Sequence, residues 1–346
     1  MIVRLLGSGR YTLAIAKNSG SAHEAGLCDY YANAHHGSNV ERRFVQAIRV
    51  DDEGHAKVTL ARPLTRRLAG AGRLPNPHPR RAGGGGTGIA RGTTSLYATL
   101  KYMWEVTRLN TWHPATATRT EMSVSRRIYM AAKGITIGKI AVNTVLISEG
   151  HGFDRHARAG LLRTRFAVAG KTQALLLFGE IPSQPGALFD RLSALAARCG
   201  ISIADSEGAC AAAESSFARQ VQYRRGRLIV LASGFKSARD TIDLQEIGIL
   251  ACSDPYIPID SLYELNVADR LVAEARSFIK PVRDDGGAVV PDFILTDTAV
   301  EVEMEVFGRT DPDYLEKAER KKIRDIWWWD AATTDELPPF PPKSAK

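Results

Sequence analysis

The stretch Pro291-Asp292-Phe293-Ile294-Leu295, followed by Glu301-Val302-Glu303-Met304-Glu305-Val306-Phe307-Gly308, decides how the last third of the chain is read. The second segment alternates acid with apolar residue. Successive side chains of a strand point to opposite faces, so Glu301, Glu303 and Glu305 share one face while Val300, Val302, Met304 and Val306 share the other. Three carboxylates on one face repel one another unless water, basic side chains or a divalent cation offsets them. Asp292 on a neighbouring strand would add a hard oxygen ligand of the kind Mg²⁺ accepts. These are the raw materials of a metal-dependent phosphodiesterase. The same residues also have a plainer reading, because an acidic strand face is commonly the solvated side of an antiparallel sheet and Pro-Asp is a frequent turn dipeptide.

The surrounding pattern extends this reading. Ser261, with Glu264 three residues on, has the spacing of a capping box. It opens a helix whose Leu262, Leu265, Ala268, Leu271, Val272 and Ala275 fall on one face, running to about Phe278. A strand over 289–295, a strand over 300–307, a helix over 313–325 and a strand over 326–330 follow. The order is α-β-β-α-β, with an Asp opening one strand and a Glu in the middle of the next. That arrangement resembles the PD-(D/E)XK nuclease superfamily, in which two adjacent strands present carboxylates to one or two divalent ions. The resemblance implies a restriction-endonuclease-like domain over 257–335 and Mg²⁺ as cofactor, with Asp292 and Glu305 as catalytic metal ligands. It makes Glu303 the alternative acid and metal ligand, and it sets Glu264 where an additional acid is kept. One departure stands out: neither Glu305 nor Phe307, two residues after each acid, is the expected lysine. Lys317 and Lys321, at i,i+4 spacing on the following helix, are the candidates to supply that cation. An inactive descendant that only binds nucleic acid fits the same gap. In Trp327-Trp328-Trp329 the middle ring points away from its neighbours, so at least one face is core.

Composition bounds the rest. At 346 residues the chain exceeds one ordinary domain. Hydrophobic residues at 44% and charged residues at 24% are globular values. A net charge of +8 and a pI of about 9.3 favour an anionic partner, DNA before others, and no apolar run reaches bilayer length. The start Met1-Ile2-Val3-Arg4 lacks the apolar core of a signal peptide, which predicts a cytoplasmic protein. Cys28, Cys199, Cys210 and Cys252 show no CxxC spacing and fit free thiols in a reducing compartment.

Along the chain, residues 1–62 read as a small β-rich unit, with strands at Tyr11–Ala16 and Lys57–Leu60 and a helix-compatible run over Val40–Val50. Residues 63–93 are rich in Arg, Gly and Pro and read as a flexible basic arm, whose Arg66, Arg67, Arg80, Arg81 and Arg91 are candidates for binding nucleic acid. Its four glycines lack the Gly-Lys-Ser/Thr that would make them a phosphate loop. Residues 94–256 read as a central α/β domain. Thr94 is a candidate helix N-cap ahead of Leu96, Leu100, Met103 and Trp104 at helical spacing, and a further helix is expected over Arg126–Ala132. Ala174–Phe178 and Arg227–Leu231 read as strands and Ala187–Cys199 as a helix. Residues 336–346 are a Pro-rich tail. The fold class is therefore α/β (α+β), with a small β-rich start and an α-β-β-α-β end.

Several segments together resemble the bacterial family catalogued as domain of unknown function 1173, found on plasmids and other mobile elements. They are Tyr11–Ala16 through His23 and Cys28-Asp29-Tyr30, Ser95–Glu105 with Asn110-Thr111-Trp112, Leu177–Glu180, and Tyr256-Ile257-Pro258 to Phe278-Ile279-Lys280. The resemblance implies a Cys-x-Cys pair upstream of His23 and Cys28, which would complete a tetrahedral zinc site. That implies either a chain continuing upstream or a decayed finger. With His23 and Cys28 alone, Cys28 is expected to be a free thiol without structural zinc.

Overall fold

The computed structural model describes residues 2–5, 11–14, 47–65, 93–115, 118–149, 173–184, 186–237, 241–282, 290–308 and 326–344. The chain divides into two compact units that interleave in sequence: Gln46–Thr107 with Arg119–Cys252, and Met1–Val45 with Arg108–Thr118 and Ser253–Lys346. Elements are numbered along the chain. The fold is mixed α/β.

The first of these units holds two sheets. Strands β3 (Ile48–Val50), β4 (Ala56–Val58), β6 (Ile135–Ile137) and β7 (Ile140–Ala141) form a four-stranded sheet, with β4 and β6 parallel. Ile48–Val50 is thus strand rather than the end of a helical run, because its residues pair with Ala56–Val58; residues 40–46 of that run lie outside the described residues. The five-stranded sheet has the order β10-β12-β11-β9-β8, from β8 (Leu146–Ser148), β9 (Ala174–Ile181), β10 (Ser202–Ala204), β11 (Arg227–Lys236) and β12 (Thr241–Cys252). Ala174 to Phe178 are all buried, as expected for a central strand covered on both faces.

Helices cover that sheet. They are α1 (Leu96–Val106), α2 (Glu121–Ala132), the single-turn α3 (Val142–Val145), α4 (Leu188–Arg198) and α5 (Ala209–Ser216). Ser95, not Thr94, caps α1: its backbone is extended and its Oγ accepts from Ala98 N at 3.2 Å, while Thr94 bridges to Leu60. Leu96, Leu100, Met103 and Trp104 are fully buried, as the helical spacing predicts. Helix α2 starts five residues before Arg126, because Thr120 and Ser123 form a reciprocal capping box. Helices α1 and α5 pack on β12, and α4 packs on β9 and β10. Gly248 on β12 makes the first contact possible: a Cβ there would lie 2.6 Å from Tyr97 N.

In the other unit, β1 (Ile2–Leu5) pairs antiparallel with β2 (Tyr11–Ala14). A five-stranded sheet has the order β16-β15-β14-β13-β5, from β5 (Thr111–Trp112), β13 (Phe278–Ile279), β14 (Phe293–Leu295), β15 (Val302–Phe307) and β16 (Trp327–Asp330). Only β15 and β16 run parallel within it. Helix α6 (Leu262–Ala273) precedes β13. The helix stops short of Phe278 because Ala275 takes a left-handed φ of 53°, and Arg276 N closes back onto Leu271 O. Phe278, which the sequence pattern placed at the end of the helix, is therefore released with Ile279 into a strand. Three strands, not two, follow α6 before residues 309–325, where the expected helix over 313–325 lies outside the described residues. A bidentate pair, Arg276 to Asp297, ties the helix exit to the turn after β14. The described tail folds back: Arg270 Nη1 donates to Leu337 O, and Trp327 Nε1 donates to Pro339 O.

Because Gly248 faces α1 backbone that cannot yield as a side chain can, Gly248→Ala is expected to destabilise the chain by about 1–3 kcal/mol. Urea denaturation followed by far-ultraviolet circular dichroism measures this, and an unchanged midpoint would show the contact to be loose.

Candidate functional site

The start of α6 builds one wall of the site. Ser261 is extended and its Oγ accepts from Glu264 N at 3.1 Å, so the cap fixes where Glu264 leaves the helix. Glu264 bends back, and its Oε2 accepts from Asp260 N at 3.0 Å. Its side chain is buried on the face that also carries Leu265, Ala268 and Leu271. A carboxylate in such a place requires a partner.

Lys280 is that partner. It follows β13, and both its main-chain polar groups are held by Asn110: Lys280 N donates to Asn110 O at 2.8 Å, and Asn110 Nδ2 donates to Lys280 O at 3.1 Å. The lysine side chain is 4% exposed, and its Nζ lies 2.7 Å from Glu264 Oε2. Asp260 Oδ2 is 3.6 Å away and Asp292 Oδ1 3.8 Å. The Phe293 ring centroid lies 5.2 Å from Nζ, close enough for a cation–π contribution.

Asp292 is fastened to the neighbouring strand. Its Oδ2 accepts from Val306 N at 2.7 Å and its own N donates to Met304 O at 2.9 Å, which leaves Oδ1 towards the ammonium. Phe293 pairs with Met304 and Ile294 with Glu303. Asp292 lies just before this paired stretch, and its N bonds Met304 O rather than carrying the register on to Glu305. Glu305 is buried in β15, where its partner on β16 is Trp328. Glu303 is half-buried on the same strand face, and Glu301 precedes the strand. Of the expected acids, Asp292 and Glu264 are brought together around one ammonium, and Glu305 is carried on the next strand. Lys317 and Lys321 lie outside the described residues, as do Arg66, Arg67, Arg80, Arg81, Arg91, His23 and Cys28. None of the described cysteines, Cys199, Cys210 and Cys252, is in a disulfide.

Sequence reasoning missed Lys280 and Asp260. The available signal was Phe278-Ile279 between Ser277 and Pro281, a short apolar run bounded by strand-ending residues. Of the three tryptophans, Trp329 is core, whereas Trp328 is 40% exposed.

Burial pushes the Glu264 carboxyl up to about 7; the Lys280 ammonium pulls it down, and the charges of Asp292 and Asp260 add to the rise. Burial opposes the charge on Lys280, yet Glu264, Asp260 and Asp292 together hold the ammonium above the ordinary lysine range. The site thus combines a fixed ammonium, an accessible carboxylate and a buried carboxyl that titrates near neutrality. It can bind or orient an oxyanion at the ammonium and hold a proton at Glu264. Among the described residues, no group of three or more His, Cys, Asp or Glu side chains is placed to hold a metal ion, and no helix is long and apolar enough to cross a membrane.

The chain belongs to the family described as protein of unknown function DUF1173, whose model matches residues 1–332. No curated protein and no solved structure matches it.

The raised carboxyl gives a pH signature. Folded Glu264 holds its proton up to about 7, against 4.5 ordinarily, so the folded state binds more protons between those values. Its contribution to stability is complete below about 4.5 and is lost as pH rises through about 7. Comparing the chain with Glu264→Gln across that range, the substituted chain is expected to show the flatter stability profile. Lys280→Met leaves Glu264 buried without its cation and is expected to cost about 3–5 kcal/mol above neutrality and less in acid. Parallel profiles for all three chains would show that this pair does not govern the unit.

Proposed function

We propose that this chain is a DNA-binding protein whose acid–lysine site hydrolyses phosphodiesters with Mg²⁺, in a restriction-endonuclease-like unit. The observation that supports this most directly is the Lys280 ammonium within 4 Å of Asp292, Asp260 and Glu264. It offers, just after β13, the cation that the residues after Glu303 and Glu305 do not.

The donor set is suited to Mg²⁺ in a limited way. Mg²⁺ commonly takes one or two carboxylates and fills its octahedron with water and substrate phosphate, so a cage of three protein acids is not required. Asp292 Oδ1 and Glu305 would hold it, with Glu303 on the same strand face. The bound ion would activate water and neutralise charge on the phosphate. The chain's own residues do the rest. Asp292 is kept in place by Val306 N. Lys280 makes one close contact, at 2.7 Å, and two longer than a hydrogen bond, so its remaining N–H directions can orient a phosphate oxygen or the attacking water. Glu264, titrating near 7, can hold and release a proton beside it. The net charge of +8 and the arginines between 66 and 91 supply the attraction that holds DNA.

A second reading has its own support: the buried 2.7 Å Lys280–Glu264 pair would also suit a fold that keeps DNA binding without cleavage.

Purified protein incubated with single- and double-stranded DNA in Mg²⁺ or Mn²⁺ separates the two. The expected outcome is cleavage abolished by chelator and lowered about a hundredfold or more by Asp292→Asn, which keeps an oxygen for Val306 N. If neither substrate is ever cut while salt-dependent binding survives Asp292→Asn, the enzyme reading fails and the binding reading stands.

A further inference from the structure

Charged side chains are rarely withdrawn from water without an ion pair. Arg191, on α4, departs from this. It is 5% exposed, and it donates from Nε to Pro182 O at 2.6 Å and from Nη1 to Val221 O at 3.1 Å. Both acceptors are neutral carbonyls, and Nη2 has no hydrogen-bond partner. Burial lowers the affinity of the guanidinium for its proton, and the charge of Glu214 only partly opposes this.

Arg191 lines a cleft of about 530 Å³ together with Arg224, Ser183, Gln222, Val221 and Glu214. Arg224 is exposed. Glu214 does not close the cleft by pairing with Arg191. Its Oε1 instead accepts from Leu188 N at 2.9 Å, so it occupies the start of α4, where Ala187 provides no side-chain cap. The carboxylate satisfies that helix end and leaves the arginine without an ion pair.

We propose that this cleft binds a phosphate group, with Arg191 and Arg224 as the cationic wall and Ser183 and Gln222 as further donors. Phosphate suits the site because its several acceptor oxygens engage two guanidinium groups and neutral donors at once, and guanidinium matches it in charge and plane. The group can come from a small phosphorylated molecule or from a nucleic-acid strand. All the residues lie in the unit formed by Gln46–Thr107 and Arg119–Cys252, so the inference stands apart from the phosphodiesterase reading.

Titration calorimetry of the full chain with inorganic pyrophosphate, and separately with a short oligothymidylate, tests it. Saturable binding of at least one probe is expected. Arg224→Ala should weaken it about fivefold or more with an unchanged melting temperature, since that side chain is exposed. Glu214→Gln, which keeps an oxygen for Leu188 N, should tighten binding by removing a nearby negative charge. Pyrophosphate binding alone assigns the cleft to small phosphorylated molecules, and oligothymidylate binding with the same dependence on Arg224 assigns it to a nucleic-acid backbone. Absence of binding by both probes into the millimolar range, or binding indifferent to both substitutions, overturns the proposal. DNA cleavage lost by Asp292→Asn with pyrophosphate binding intact would keep the two sites distinct.

Discussion

An ammonium ion withdrawn from water must be surrounded by negative charge or surrender its proton, and this constraint organises the unit that contains Lys280. Glu264 arrives from the first turn of α6, Asp260 from the residues before it and Asp292 from the strand beyond. The backbone fixing each is separate: the Ser261 cap for Glu264, Asn110 for Lys280, and Val306 N for Asp292. Because every anchor belongs to a different segment, the cluster forms only when α6, β5, β13, β14 and β15 are all in place. The charge pair therefore reports on assembly of the whole sheet as well as on the site.

The same unit shows how a helix end can determine chemistry. Left-handed Ala275 ends α6, and the chain turns at once through Arg276, which is gripped by Asp297. That turn frees Phe278-Ile279 to pair with β5 on one side and β14 on the other. Lys280 follows directly and so reaches the centre of the cluster. A helix continuing through Lys280 would have carried the lysine on its last turn, away from this register.

Much of the framework was legible. The spacing of Leu96, Leu100, Met103 and Trp104 identified α1, the Ser261/Glu264 signal identified the start of α6, and Ala174–Phe178 identified a buried strand. Local patterns of this kind survive because capping and periodicity act within a few residues. Strand β12 was not legible. Asp243, Gln245, Glu246 and Gly248 interrupt its apolar pattern, and it is held as a strand by pairing with β10 and β11. Gly248 weakens a strand in isolation, yet here it is what admits α1. The candidate site was half legible: Asp292 and Glu264 announced themselves by position, whereas Lys280 came just after the residue read as the end of a helix and carried no motif of its own.

By itself, the sequence determined that this is a mixed α/β protein, basic overall, with acidic residues grouped on a strand near residue 300. Composition and alternation are local properties, and side-chain periodicity follows from backbone geometry alone. Only the tertiary structure decided which acids meet, which lysine joins them and which arginine is left buried without an ion pair. Those outcomes depend on contacts between segments distant in the chain, such as Asn110 with Lys280 and Arg191 with Val221. Desolvation, which sets both the titration of Glu264 and the lowered proton affinity of Arg191, arises only once those segments exclude water together.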